Sequence, residues 1–222
     1  MKTFEIITLF PELFPGPLGV SIFKKSFKKS WDLKIHDLRK YGIGDNRQVD
    51  DSIFSGIPGM LIKPDVIENV MNDINFQGKK IFLSPKGSTF NQSISEEMSA
   101  SNESVLLLSG RYEGIDDRAI KYYEFEEMSI GNYILAGGEV ASMVIMESII
   151  RKLPGVIGNA NSFNHETFQD NKISEPRYTR PFNWQLKNGD SMQVDEILIS
   201  GDHQKIKDFQ NSKRRSIIKK EE

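Results

Sequence analysis

Cysteine is absent from this chain of 222 residues. That excludes disulfides, thiolate zinc sites, iron–sulfur clusters and a cysteine nucleophile. Histidine is scarce: His36, His165 and His203 are the only three, too few to favour a multi-histidine metal site. No apolar run approaches the roughly 18 residues of a membrane span. The opening MKTFEIITLFPELF places Glu5, Pro11 and Glu12 inside what would be an apolar core, so it does not read as a signal peptide. The expected address is the cytoplasm, with no membrane partner. No G-x-G-x-x-G follows the first strand, and no G-x-x-x-x-G-K-[ST] occurs, which disfavours ordinary dinucleotide binding and the P-loop. Internal repeats and low-complexity stretches are also missing.

What is present is a globular composition, 38% hydrophobic and 27% charged, long enough to bury a core without a staple. Net charge is −2, which would argue against a polyanionic partner, but the charges are not evenly spread. Residues 17–40 hold seven basic side chains against two acidic, and 203–222 hold seven against three. Residues 103–127 reverse the sign, with three basic and seven acidic. Local patches, not the total, set the field that a nucleic acid meets. Solvated helix faces are the competing explanation.

Strand and helix signals alternate from the start. Phe4 to Leu9 reads as a buried strand, and Trp31, Leu33 and Ile35 alternate with polar residues as a half-buried one. Pro64 opens a helix with Val66, Ile67, Val70, Met71 and Ile74 on one face. Lys80 to Leu83 is a short strand expected to stop at Ser84-Pro85. Ser93 and Glu96 fit a capping box for the next helix. Val105 to Leu108 is the most apolar strand and is expected at the centre of the sheet. A further strand passes through Phe125. Glu139 to Lys152 is a long helix whose core side is read as Val140, Met143, Val144, Ile149 and Ile150. Strands separated by helices imply crossovers, hence an α/β fold with a mainly parallel sheet. After Pro154-Gly155 the texture turns polar and Asn-rich. The expected organisation is an α/β domain over 1–158, a flexible linker over 159–177 and a small helical domain over 178–222.

Three glycine-bearing loops each follow a strand: Leu83-Ser84-Pro85-Lys86-Gly87, Gly110-Arg111-Tyr112-Glu113-Gly114, and residues 129–138 ending in Gly137-Gly138. In an open parallel sheet such loops gather at the strands' carboxyl ends, where ligands bind. One such loop is ordinarily just a turn; three in one domain point to a small-molecule pocket. Two charged residues flank the change of texture. Arg151 ends the long helix, where a cation is favoured anyway. Glu166 sits in Asn164-His165-Glu166-Thr167-Phe168, where a solvated carboxylate is the plain alternative. Tyr178-Thr179-Arg180-Pro181 reads as a fixed turn closing the linker.

Taken together these segments become specific. Val49-Asp50-Asp51, Pro58-Gly59-Met60-Leu61, the SPKG loop, Gly110 to Asp116, Ser129 to Tyr133, Gly137-Gly138-Glu139, Pro154-Gly155-Val156, Tyr178 to Pro181 and Ile199-Ser200-Gly201-Asp202-His203 occur in this order. The chain closely resembles the bacterial tRNA (guanine-N1)-methyltransferase family, nearly end to end. The resemblance implies methylation of guanosine 37, beside the anticodon, on a sheet tied in a deep trefoil knot (the SPOUT class). Nothing in composition or periodicity points to that knot. It implies S-adenosylmethionine bent in the knot and held mainly by backbone. Carried over residue by residue, Leu83, Ser84, Pro85, Gly110, Tyr112, Glu113, Ile130, Gly131, Asn132, Tyr133, Ile134 and Leu135 should line that pocket. Gly137 and Gly138 should let the last loop pass closely. It also implies an obligate homodimer whose active sites use both chains, and a tRNA anticodon stem-loop partner contacted by the C-terminal domain. Magnesium is the family's usual companion, although the sequence carries no dedicated ligand cluster for it.

The chain departs from the pattern at three places. Ser55-Gly56-Ile57 stands where the family usually has three glycines, and Asn46 where it usually has histidine. Glu166-Thr167-Phe168 matches the family's Asp-Ser-Phe, whose carboxylate is the proposed general base. Guanine N1 is a poor nucleophile until it loses its proton, so a carboxylate within reach serves as base. A guanidinium can stabilise the charge that builds on O6. The resemblance assigns these roles to Glu166 and Arg151; Asp170, four residues on, is the competing base. A knotted methyltransferase acting on ribose or ribosomal RNA, and a cofactor-binding RNA module without catalysis, are the rival readings.

Overall fold

The computed structural model describes the chain apart from Ser55 and residues 160–162, 164–165, 169–171 and 217–222. His165 and Asp170 therefore lie outside the described residues. The described chain divides into two units, 1–158 and 159–222.

The first unit runs β1 (Lys2–Thr8), α1 (Ser21–Ser26), β2 (Trp31–Asp37), β3 (Asp50–Ser52), β4 (Met60–Ile62), α2 (Pro64–Ile74), β5 (Lys79–Thr89), α3 (Gln92–Ala100), β6 (Val105–Ser109), α4 (Asp117–Tyr122), β7 (Glu126–Ser129) and α5 (Glu139–Ile150). Five strands form one sheet in the order β2-β1-β6-β5-β7, every pair parallel. β6 is the middle strand and is buried along its whole length, as its unbroken apolar run predicts. Its side chains alternate between the two faces. Val105 and Leu107 join Phe4, Ile6, Met146 and Ile149 in one core. Leu106 and Leu108 join Ile7, Val66, Ile67, Val70 and Ile120 in the other. The sheet is thus sandwiched, with α3 and α5 over one face and α2 and α4 over the other.

Three expectations need correction. The strand beginning at Lys79 does not stop at Ser84. β5 continues to Thr89, shifting its register against β7 between Leu83 and Ser88. Pro85 cannot donate to a ladder and is tolerated at such an irregularity, so the SPKG segment is a bulged strand rather than a free loop. The α3 cap is Asn91, whose Oδ1 accepts from Ile94 N at 3.1 Å; Ser93 and Glu96 are already inside the helix. On α5, Val140 and Val144 face outward, 57% and 44% exposed. The buried side is Ala141, Ser142, Met143, Ile145, Met146, Ile149 and Ile150. The helix is apolar nearly all round, so periodicity could not tell which side meets the sheet.

The second unit contains the antiparallel pair β8 (Lys172–Ile173) and β11 (Arg215–Ser216), the hairpin β9 (Asn183–Gln185) and β10 (Ser191–Gln193), and α6 (His203–Lys213). The hairpin is the element that the mostly helical reading beyond Pro181 missed. Asp202 caps α6, its carboxylate accepting from Lys205 N, which accounts for Gly201-Asp202-His203 as a helix start.

Candidate active site

The three glycine-bearing segments, the bulge within β5 and the loops that follow β6 and β7, meet around a cavity of about 270 Å³. Leu83, Ser84, Pro85, Gly110, Tyr112, Glu113, Ile130, Gly131, Tyr133, Ile134, Leu135, Gly137 and Gly138 all line it. Asn132 does not.

The middle segment is held from below. Glu113 N donates to Met60 O, Ile62 N to Gly114 O and Asp116 N to Ile62 O, each at 3.0–3.1 Å. The short β3–β4 hairpin therefore clamps residues 113–116. Asp116 caps α4 and also receives Arg118 Nε and Nη2; these hydrogen bonds hold its carboxyl below the usual aspartate range. Tyr112 takes a left-handed backbone, φ 58°, a conformation costly for a non-glycine residue and typical of ligand-binding turns. Burial first, then the charge of Asp50, pushes its phenol up, so it stays a neutral donor at physiological pH.

The last segment passes hard against the middle one. Gly138 N donates to Gly110 O at 2.9 Å. A Cβ on Gly138 would lie 2.8 Å from Ser109 Cα and 3.1 Å from Gly110 N, with Leu83 Cβ at 3.2 Å, so the Ser109–Gly110 backbone leaves no room for a side chain. This cradle offers backbone donors and acceptors, with Leu83, Ile115, Leu135 and Ala141 as apolar wall. It suits a mixed aromatic and polar ligand such as an adenosine-bearing cofactor.

A cation missed at the level of sequence also lines the cavity: Arg111. Its guanidinium stacks 4.4 Å over the Phe10 ring, and Nη1 donates to Ala136 O at 3.4 Å. Its partner is Glu139, with Nε 2.9 Å from Oε2. The Nε–H is not aimed at that oxygen, so the contact is an ion pair without hydrogen-bond alignment. Arg111 sits inside the Gly-Arg-Tyr-Glu-Gly block, but only the fold shows that Phe10 and Glu139 converge on it.

Arg151 is not among the lining residues. It caps the far end of α5, so it is separated from Gly138 by the length of a 12-residue helix, about 18 Å at 1.5 Å per residue. Within one chain, Arg151 cannot reach this cavity. Glu166 belongs to the second unit, where its N donates to Phe163 O at 3.3 Å. Its neighbour Thr167 shares a 2.7 Å hydroxyl contact with Ser174.

The model of the family described as "tRNA (Guanine-1)-methyltransferase TrmD" matches residues 1–221. A protein of Pelagibacter ubique named tRNA (guanine-N(1)-)-methyltransferase is 40% identical over 97% of this chain and 92% of its own length. One of Anaplasma phagocytophilum with the same name is 38% identical over 96% and 91%. One of Ruegeria pomeroyi, again with that name, is 36% identical over 97% and 88%.

Proposed function

The chain belongs to the tRNA (guanine-1)-methyltransferase family, and we propose from that footing where its reaction takes place and which residues carry it. The reaction itself is transfer of a methyl group from S-adenosylmethionine to N1 of guanine in tRNA: N1 loses its proton and gains the methyl group as the carbon–sulfur bond breaks, giving 1-methylguanosine and S-adenosylhomocysteine. The target in the proposal is guanosine 37, beside the anticodon.

The observation that carries the proposal is the cavity between the three glycine-bearing segments, since thirteen of the fourteen residues expected to hold the cofactor line it. Backbone around Gly110 and Gly131 and the apolar wall would hold S-adenosylmethionine, which supplies an electrophilic methyl group there. The knotted path that the family implies is part of the same reading; the hydrogen bond from Gly138 N to Gly110 O supports it, because it draws the last loop against the middle one. Magnesium has no cluster of three carboxylates or histidines to hold it among the described residues.

Within the site, Glu166 accepts the N1 proton as the base forms its new bond. Glutamate keeps the carboxylate of the family's aspartate and adds one methylene. Arg111, inside the cavity, is a cation for the negative charge that gathers on O6. Arg151 serves the same oxygen only from a second copy of the chain. The length of α5 therefore supports the homodimer, as do the outward-facing Val140 and Val144, an i, i+4 apolar pair on α5. The second unit is assigned to the anticodon stem-loop. Its hairpin exposes Trp184 opposite Met192, a surface on which a base can stack, and α6 carries Lys205, Lys207 and Lys213 for phosphates. Among the described residues no helix is long and apolar enough to cross a membrane, and the proposed place of work is the cytoplasm.

Incubation with labelled S-adenosylmethionine and tRNA, with and without a metal chelator, followed by nucleoside identification, tests this. The expected product is 1-methylguanosine. A 2′-O-methylated nucleoside would favour the ribose-modifying class, and cofactor binding without transfer would favour a non-catalytic RNA module.

A further inference from the structure

Glu139 is 1% exposed and has no part in the reaction as described above. A carboxylate is kept in such a place only when it is paired. One oxygen, Oε1, accepts from Thr8 Oγ1 at 2.9 Å. The Thr8 hydroxyl is itself fixed, since it accepts from Phe10 N at 3.0 Å. The other oxygen, Oε2, faces Arg111 Nε at 2.9 Å. Phe10, two residues beyond the end of β1, supplies the ring beneath the same guanidinium. Glu139 is also the first residue of α5, where a helix N-terminus favours negative charge. Gly137 belongs to the same arrangement: a Cβ there would fall 2.3 Å from Arg111 Nε and 2.6 Å from Glu139 Oε2. The ion pair occupies the volume that a side chain at 137 would need.

We propose that Glu139, braced by Thr8, is the positioning residue for Arg111, setting the guanidinium in the cavity so that its remaining N–H donors meet the reacting base. The proposal rests on the guanine-methylating reading of the site. Glu139 touches neither substrate in this account; it acts through Arg111. The apolar stack on Phe10 and the contact with Ala136 O fix the plane of the fork, and Glu139 fixes its rotation. A guanidinium without its counter-charge would drift towards solvent, and misplacement by about 1 Å can cost a reaction about 100-fold.

Single-turnover transfer at saturating S-adenosylmethionine and tRNA provides the test. Glu139→Gln is expected to lose about 10- to 100-fold in rate, with cofactor affinity within about threefold of wild type, and Glu139→Asp to recover part of the loss. In an Arg111→Ala background, Glu139→Gln should have no further effect, because residues that act as one unit are non-additive. Thr8→Val keeps the charge and the shape while removing the brace, so it reports even if Glu139→Gln does not fold. It should slow transfer several-fold in the wild-type background and not at all beside Arg111→Ala. A normal rate in both Thr8→Val and Glu139→Gln, a loss confined to cofactor affinity, or additive losses with Arg111→Ala would each overturn the proposal. Positioning has a readout independent of chemistry. The Arg111 Nε–Hε resonance should be sharp in the wild type, where the guanidinium is held in one orientation, and broadened in Glu139→Gln. An unchanged resonance would refute the positioning, whereas absence of 1-methylguanosine with the wild-type protein would refute only the reaction.

Discussion

Two residues bound what single side chains could reveal. Glu166 is proposed as the base on the spacing that Thr167 and Phe168 keep to it and on its carboxylate. If it is the base, Glu166→Gln should retain cofactor and tRNA binding and lose about 10²- to 10⁴-fold in single-turnover rate. Glu166→Asp should stay active, as should Asp170→Asn. Loss of transfer in Asp170→Asn with a normal Glu166→Gln would move the base to Asp170. Arg111 was not legible, because an arginine between Gly110 and Tyr112 carries no sign of the residues that meet it. Glu139 lies 1% exposed beside it, yet the two are separated by a whole helix, a strand and a loop. Gly138 falls between these cases. The sequence suggested close passage, and the structure identifies the neighbour as the Ser109–Gly110 backbone. Gly138→Val should abolish S-adenosylmethionine binding in calorimetry, since the Ser109–Gly110 backbone of the central strand cannot yield to a side chain; undiminished binding would remove the cavity from the cofactor assignment.

Among the elements, those with one strong period were read well. β6 and α2 stand where their apolar patterns put them, and Pro64 begins α2 as its fixed φ favours. The failures came where two patterns compete. Pro85 and Gly87 advertise a turn, but pairing with β7 carries β5 on to Thr89. On α5 the apolar residues cover more than the sheet needs, leaving Val140 and Val144 outside. The clamp below residues 113–116 makes a prediction about acid. Asp116 has its carboxyl depressed chiefly by hydrogen bonds from Arg118. A depressed carboxyl contributes stability that is fully present above the unfolded value, about 3.9, and is lost as pH falls through the lower folded value. Asp116→Asn keeps an N-cap but not the charge. Urea unfolding should show it less stable than wild type at pH 7, with the difference shrinking as pH falls below the unfolded value and through the lower folded one. A difference that persists at acid pH would mean that the charge is not what matters.

At the scale of the whole molecule, the alternation of strands and helices announced an α/β sheet, and the sheet is indeed parallel with β6 at its centre. The knot that the family implies would be a property of how loops pass one another, which no local pattern encodes. The proposed homodimer is equally invisible to periodicity; it is argued from the length of α5, which keeps Arg151 away from its own cavity. A homodimer predicts a light-scattering mass of twice the 25.3 kDa chain. It also predicts complementation. If Arg151 and Glu166 reach one site from different chains, mixing inactive Arg151→Ala and Glu166→Gln proteins and allowing subunits to exchange should restore about a quarter of wild-type activity, because each mixed dimer has one intact site. No recovery after demonstrated exchange would place both residues in the same chain's site.

The account stands most directly on where the methyl group goes. Two transcripts of one tRNA, differing only in guanosine or adenosine at position 37, should be incubated with this protein and labelled S-adenosylmethionine, and the label mapped by digestion and mass spectrometry. The account predicts 1-methylguanosine at position 37 of the first transcript and no label in the second. Equal labelling of both, or a methyl group on a ribose or at another position, would contradict it.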